Sequence, residues 1–392
     1  MADSAIKNEE EKKEYFDTPE ELEAKIEQLA LWVREASHFI AFTGAGISTS
    51  AGIPDFRSGY NTVLQTGPGA WEKKAQGKKT KQTHHVTSTK AVPTQTHMSF
   101  VKLMEIGLLK HLVSQNTDGL HRRSGIPTDK LSELHGNTNL EVCTTCKKEY
   151  MRDFRVRTAQ HVHEHLTGRR CDNPQCNGQL KDTIINFGEN LEEDIIDRGF
   201  RNGAEADLCL AMGSSLRVTP AADIPKNVSK HGRLVIVNLQ KTPLDGRAAL
   251  QIHAFCDTVM QLLMEKLGLE IPSFKLVRRL KISRGKEVVK GNLKDFLYFQ
   301  GVDSNNAPYT LFPMIQVTKG ADKTELKKEP MKYFQDRLNG NYQIKVNFQG
   351  HYQEPPVDIT LNSASISDDS YKLYVMTFDP TRKLWESVNE IN

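Results

Sequence analysis

Two periodicities of apolar and polar positions divide this chain. From Thr18 to Ser37 the apolar residues Leu22, Ile26, Leu29, Leu31 and Val33 recur at helical spacing, with Thr18 as N-cap before Pro19 and Glu21 in the capping-box position. A short apolar strand, Phe39–Phe42, then runs into glycine. Thr96 to Leu109 reads as a helix leading into a strand at His111–Ser114. Further buried-strand patterns lie at Asp207–Met212 and Arg233–Asn238, and an amphipathic helix spans Cys256–Leu267 with Val259, Leu262, Leu263 and Leu267 on its apolar face. Alternating strands and helices predict a Rossmann-like α/β fold, a doubly wound parallel sheet with reactive residues at the carboxyl ends of its strands.

After about Lys275 the period shortens to two. Tyr309–Val317, Tyr342–Phe348, Val357–Leu361 and Tyr371–Phe378 alternate and are separated by turn residues, which predicts an all-β, sandwich-like domain. The expected organisation is a helical segment over 1–37, an α/β domain over 38–275 with a small metal module at about 136–185, and a β domain over 285–392. Tyr60–Pro93 is polar and weakly patterned, a surface excursion or cofactor lid in which only Gly67–Trp71 looks structured.

Charge changes this picture little. The 392 residues carry 52 Lys and Arg against 49 Asp and Glu, a balance that does not demand nucleic acid. Lys73, Lys74, Lys78, Lys79 and Lys81 form one basic group, and Lys275, Arg278, Arg279, Lys281, Arg284 and Lys286 another. Each is compatible with an import signal, a phosphate-contacting patch or, more commonly, a solvated face. No apolar run approaches membrane-spanning length and the N-terminal stretch is polar, so an intracellular protein with no membrane contact is expected.

The cysteines change it more. Cys143 and Cys146, then Cys171 and Cys176 after a gap of 24 residues, have the two-knuckle spacing of a four-thiolate zinc site. A closed thiolate shell offers no substrate position, so the Zn2+ is structural and contributes folding energy. Cys209 lies in a core pattern, and His161, His163 and His165 between the knuckles suit a surface better than a ligand shell.

Gly44-Ala-Gly46, at the end of the first strand, lets backbone approach a bound diphosphate. The dehydrogenase fingerprint would require glycine where Thr49 stands, and the run continues into Asp55-Phe56-Arg57, a trio without evident use in hydride transfer. Downstream come Gln115-Asn116-Thr117-Asp118, Leu134-His135-Gly136-Asn137, Gly213-Ser214-Ser215 and Asn238-Leu239-Gln240. In this order, and with the zinc knuckles among them, the segments resemble the core of the sirtuins, NAD-dependent protein deacylases, over roughly residues 15–275. The similarity is greatest to the class IV branch, which includes nuclear and nucleolar sirtuins of animals.

That resemblance implies NAD as cofactor and acyl-lysine proteins, histone tails among them, as substrates, with the acyl group passing to ADP-ribose as nicotinamide leaves. His135 would be the general base, with Asn116 and Asp118 lining the nicotinamide pocket beside Gln115. Gly44, Ala45, Gly46 and Ser48 would hold the diphosphate. Asp55, Phe56 and Arg57 would flank the reacting ribose, and Gly213, Ser214, Ser215, Asn238, Leu239, Gln240 and Cys256 would meet the adenosine half. Phe187-Gly188-Glu189 would be an edge for a substrate peptide to add as a strand. A nuclear location follows from the same branch, otherwise a cytoplasmic one. Two alternative readings are mono-ADP-ribosyl transfer and a chromatin- or RNA-associated scaffold working through the C-terminal β domain and the basic segments.

Overall fold

The computed structural model describes residues 8–75, 87–229, 231–304, 306–368 and 370–391. Lys78, Lys79 and Lys81 of the first basic group lie outside them. The chain forms two compact units.

The first unit takes in the described residues up to Thr138 with Gln160–Glu164 and Thr183–Phe274. Its centre is a six-stranded sheet in the order Leu250–Ile252, Arg233–Val237, Leu208–Met212, Phe39–Thr43, Leu109–Ser114, Leu131–Glu133, with every neighbouring pair parallel. Phe39–Thr43 is buried throughout because both faces are covered. Its alternate side chains enter two cores. Phe39 and Ala41 meet the helices Pro19–Glu35, Gln95–Glu105 and Cys256–Leu267, while Ile40 and Phe42 share a core with Ile195, Ile196, Phe200 and Ile224. Strand order reverses between Phe39–Thr43 and Leu208–Met212, which opens a crevice where Gly44 and Gly213 leave the sheet.

The expected elements of this unit form with small shifts. Thr18 caps its helix reciprocally, its hydroxyl accepting from Glu21 N–H at 3.2 Å and its own N–H donating to Glu21 Oε2 at 2.9 Å. The helix expected over Thr96–Leu109 ends at Glu105, because Gly107 turns the chain at φ +77° and Leu109 already belongs to the next strand. Ala70–Ala75 forms a short helix at the end of the Gly67–Trp71 element.

The second unit joins Asn139–Ala159 and His165–Asp182 to the described residues from Lys275 onward. Two antiparallel sheets enclose one core. The first orders Met331–Gln335, Asn292–Val302, Leu276–Val289, Tyr371–Asp379 and Leu384–Ile391, and the second Asp322–Leu326, Met314–Lys319, Asn341–Asn347 and Val357–Asn362. Leu280, Leu297, Ile315, Ile344 and Ile359 meet between them, as in a sandwich. A third sheet carries the cysteines, in the order Tyr309–Thr310, Glu149–Arg152, Leu140–Cys143, Gln179–Asp182, Leu166–Arg170. The segment Tyr309–Val317, expected as one strand, is two, because Pro313 cannot donate to a ladder. Its first half pairs in parallel with Glu149–Arg152.

The second basic group runs along the first strand of a long hairpin, Leu276–Val289/Asn292–Val302. Lys290 and Gly291 make its two-residue turn with φ of +51° and +83°. Arg278 points inward with Leu276, Leu280 and Ile282, only 2% exposed, between Asp153 at 3.3 Å and Glu354 at 3.1 Å. Lys275, Arg284 and Lys286 are each engaged by carboxylates as well, so the six cations do not form one open face.

Candidate active site

Three glycines set the floor of the crevice. Gly44 N–H donates to Met212 O at 3.0 Å and Gly46 N–H to Gly213 O at 2.8 Å, locking the two strand ends together. A Cβ on Gly44 would stand 2.6 Å from Gly213 O, and one on Gly46 2.7 Å from Gly213 Cα. Gly213 itself has φ +60° and would meet Ile47 N at 2.7 Å. Backbone this close leaves no room for any side chain, so main chain rather than side chains forms this part of the crevice. Ala45–Ala51 continues as a 3₁₀ helix that Gly52 ends in the left-handed region.

Polar side chains stack behind the glycines. Asn116 Nδ2 donates to Gly44 O at 3.0 Å and lies 3.4 Å from Ser48 Oγ, which donates to Asp118 Oδ2 at 2.7 Å. Asp118 Oδ1 also accepts from Leu120 N–H at 2.9 Å. Asn116 therefore borders the cavity, while Ser48 and Asp118 stand one layer back.

His135 Nδ1 lies 3.0 Å from Gln115 O. A carbonyl can only accept, so Nδ1 carries the proton and Nε2 keeps its lone pair. Burial lowers the imidazole pKa from its ordinary value, opposed by that hydrogen bond, and the ring is neutral at physiological pH. Gly136 is required beside it: at φ +79°, a Cβ would lie 1.8 Å from Thr183 O.

The remaining wall is a folded-back loop. Ala70 and Trp71 N–H groups donate to Asp55 O at 2.9 Å and Phe56 O at 3.0 Å, so Gly67–Trp71 and the Asp-Phe-Arg run are one structure. The Arg57 guanidinium lies 4.3 Å from the Trp71 ring centre and donates to Ser215 Oγ at 2.7 Å. Burial, and then nearby Arg217, lowers its pKa to about 10, which still leaves it charged. Burial raises the Asp55 carboxyl, against the opposing hydrogen bonds from Ser58. Phe56 remains 46% exposed, its ring 5.0 Å from Trp71. Ser214 Oγ donates to Gln115 Oε1 at 2.7 Å.

These groups enclose a cavity of about 1020 Å³ that brings together Gly44, Ala45, Gly46, Asp55, Phe56, Arg57, Gln115, Asn116, His135, Gly213, Ser214, Ser215, Asn238, Leu239, Gln240 and Cys256. Its size is at the top of the usual range of about 300–1,000 Å³ for small-molecule sites. Cys256 is the first residue of its helix, and burial pushes its thiol up to about 12, so it lines the cavity as a neutral group. Phe187–Glu189 forms a turn and not a strand: Glu189 N–H donates to Asn186 O at 3.1 Å and Gly188 has φ +88°. Glu14, Val63, Leu64 and Val162 also line the cavity, and no motif marked them in the sequence.

In the second unit, the Sγ atoms of Cys143, Cys146, Cys171 and Cys176 all lie within 4.8 Å of one another, with 3.5 Å from Cys143 to Cys176 and 3.7 Å from Cys146 to Cys171. Four sulfurs tetrahedrally bound to zinc at about 2.3 Å stand about 3.8 Å apart, so the donor set fits structural Zn2+. The cradle is tight: a Cβ on Gly178 would lie 2.6 Å from Cys143 Sγ. Tyr150 OH donates to Cys171 Sγ at 3.0 Å. The intervening histidines turn elsewhere, His163 to Glu189 at 2.8 Å and His165 to Asp182 at 3.1 Å.

A glycine cradle at the switch point of a parallel sheet, with a neutral histidine across the cavity, defines an α/β nucleotide-site protein. The chain belongs to the Sir2 family. Residues 44–220 match the Sir2 family model. The chain is 41% identical over 307 residues to NAD-dependent protein deacetylase SRT1 of Oryza sativa subsp. indica, covering 78% of this chain and 61% of that protein. It is 45% identical over 272 residues to NAD-dependent protein deacetylase sirtuin-7 of Bos taurus, covering 67% and 64%. Against NAD-dependent protein deacetylase Sirt6 of Drosophila melanogaster it is 37% identical over 270 residues, covering 67% of this chain and 81% of that one. The chain spans 53–64% of the length of the first curated relatives it matches.

Proposed function

We propose that this protein is an NAD-dependent protein-lysine deacylase. The observation that carries the reading is His135: a neutral imidazole with Nδ1–H spent on Gln115 O and Nε2 free on the wall of a cavity floored by glycine backbone. Gly44, Ala45, Gly46 and Gly213 would hold the diphosphate of NAD, with Ser48 and Asp118 keeping Asn116 in place behind them. Ser214, Ser215, Asn238, Leu239, Gln240 and Cys256 would line the adenosine side, and Asp55, Phe56, Arg57, Gln115 and Asn116 the nicotinamide and its ribose. When bound, NAD supplies an electrophilic ribose carbon with nicotinamide as leaving group, to which the acyl oxygen of the substrate lysine adds.

The chain's own residues then have distinct tasks. His135 Nε2 takes a proton from a ribose hydroxyl, and its return bond to Gln115 O stabilises the imidazolium that results. Asn116, anchored on Gly44 O, presents its remaining amide atoms to the cavity. Phe56, exposed and braced by Trp71, shields the reacting carbon from water. The preferred substrates in this reading are histone tails and other nuclear proteins, and the location is nuclear, which rests on the resemblance of the sequence to the class IV branch. The basic stretch from Lys275 lends little support to nucleic-acid contact, since Lys275, Arg278, Arg284 and Lys286 are held by carboxylates.

The test is turnover of acetyl- and long-chain acyl-lysine histone peptides with NAD, followed by mass spectrometry for nicotinamide and O-acyl-ADP-ribose. Formation of both, with O-acyl-ADP-ribose lost in His135→Ala, is expected. Nicotinamide release without an acylated product would replace deacylation with ADP-ribosyl transfer or NAD hydrolysis.

A further inference from the structure

A strap of N-terminal chain is laid along one rim of the cavity. Tyr15 N–H donates to Leu239 O at 2.9 Å, Gln240 Nε2 donates to Lys12 O at 3.1 Å, and Glu14 forms an antiparallel bridge with Gln240. The strap is thereby fixed to the strand end on the adenosine side. Its side chains reach across to the other wall. Glu14 accepts twice, from Thr62 Oγ1 at 2.6 Å and from Val63 N–H at 2.9 Å. The Thr62 hydroxyl in turn accepts from Leu64 N–H at 3.2 Å. Lys12 Nζ meets Glu72 at 3.1 Å, next to the Trp71 that braces Phe56 and Arg57, and Glu11 meets Arg217 at 2.9 Å.

Among the described residues, Thr62–Leu64 makes few other hydrogen bonds. Two turn hydrogen bonds shape it, Thr62 N–H to Gly59 O at 3.2 Å and Gly67 N–H to Leu64 O at 2.9 Å. Val63 is 49% exposed and Leu64 only half-buried, so apolar burial does little to hold the segment down. Yet Glu14, Val63 and Leu64 all line the cavity. A charged acceptor making two hydrogen bonds is the strongest kind of local tether available to such a loop.

We propose that Glu14 is a positioning residue: its carboxylate ties Thr62–Leu64 to the Leu239–Gln240 edge, so that the two walls of the cavity close on a bound dinucleotide together. The inference rests on the reading of the cavity as an NAD site. It assigns to Glu14 a part in cofactor affinity and none in the chemical step.

Hydrogen exchange of the unliganded protein tests the tether, and steady-state kinetics test its consequence. Loss of two charge-assisted bonds at a partly exposed site corresponds to a change of about tenfold. In Glu14→Ala, amides between residues 61 and 66 should exchange about tenfold faster and KM for NAD should rise about five- to tenfold, with kcat and the acyl-peptide KM within about twofold of wild type. Glu14→Gln keeps one of the two acceptor oxygens and no charge, and should fall between Glu14→Ala and wild type in both effects. Unchanged exchange in Glu14→Ala overturns the tether. Faster exchange with an unchanged NAD KM overturns its role in cofactor binding, as does a fall in kcat alone. Wild-type protein that fails to bind NAD by calorimetry would overturn the cofactor reading instead, while exchange in the unliganded variants still decides whether Glu14 is a tether.

Discussion

His135 owes its protonation state to burial and its tautomer to one backbone carbonyl. Because burial lowers its pKa, the ring stays unprotonated to a lower pH than a solvated imidazole. The acid limb of kcat/KM should therefore fall below pH 6.5, the ordinary value, and a limb at or above 6.5 in a pH–rate profile would contradict the assignment. In the proposed reaction His135→Ala should cost about 10²–10⁴ in acyl transfer. At Gly213 the constraint is backbone: Gly213→Ala meets both φ +60° and atoms at 2.7 Å, so NAD affinity should drop steeply, as read by calorimetry. His135 and the glycines were readable as motifs because their neighbours in sequence belong to the same site. Glu14 was not readable, since its partners Thr62 and Val63 are linked to it through space by an otherwise ordinary acidic stretch.

The helices and parallel strands of the first unit announced themselves because each buries a regular face. The Leu276–Val289 strand did not, because Arg278, Arg279 and Lys281 interrupt its apolar alternation and one of those cations belongs inside. Buried polar groups in the elements carry a stability cost that pH exposes. His111, His97 and His121 are held neutral chiefly by burial, His111 with its pKa lowered to about 4 and His97 to about 3. The folded pKa values lie below the unfolded value near 6.5, so on acidification the unfolded chain binds protons first. Their contribution is complete above about pH 6.5 and is lost as pH falls below it, by up to about 1.4 kcal/mol per pH unit for each histidine. Thermal unfolding from pH 7.5 to 4.5 should show Tm flat at first and falling below 6.5.

At the scale of the whole chain, the second unit combines the zinc knuckles with the C-terminal β strands. Asp153, which follows the Glu149–Arg152 strand, shares Arg278 with Glu354 and receives His351 Nε2 on its carbonyl at 2.7 Å. Arg278→Met would strand two buried carboxylates at a cost of about 3–5 kcal/mol. Zinc retention should suffer with it: a chromogenic chelator is expected to strip zinc faster from Arg278→Met than from wild type, and stripping wild type should loosen exchange in Asn341–Asn347. Equal release rates, or a sandwich indifferent to the metal, would show that the two parts fold separately. The two-knuckle spacing was legible from cysteine positions alone. Its union with the distant β strands was not, because a two-residue strand, Tyr309–Thr310, leaves no periodic trace.

That small strand also sets a timetable. Arg152 and Thr310 are hydrogen-bonded partners 158 residues apart in sequence. At roughly 5–20 residues per second of synthesis, about 8–30 s separate the synthesis of the Glu149–Arg152 strand from that of the strand that closes its edge. During that interval the nascent chain exposes an unpaired ladder at Glu149–Arg152, and a chaperone or early metal loading has its moment to act.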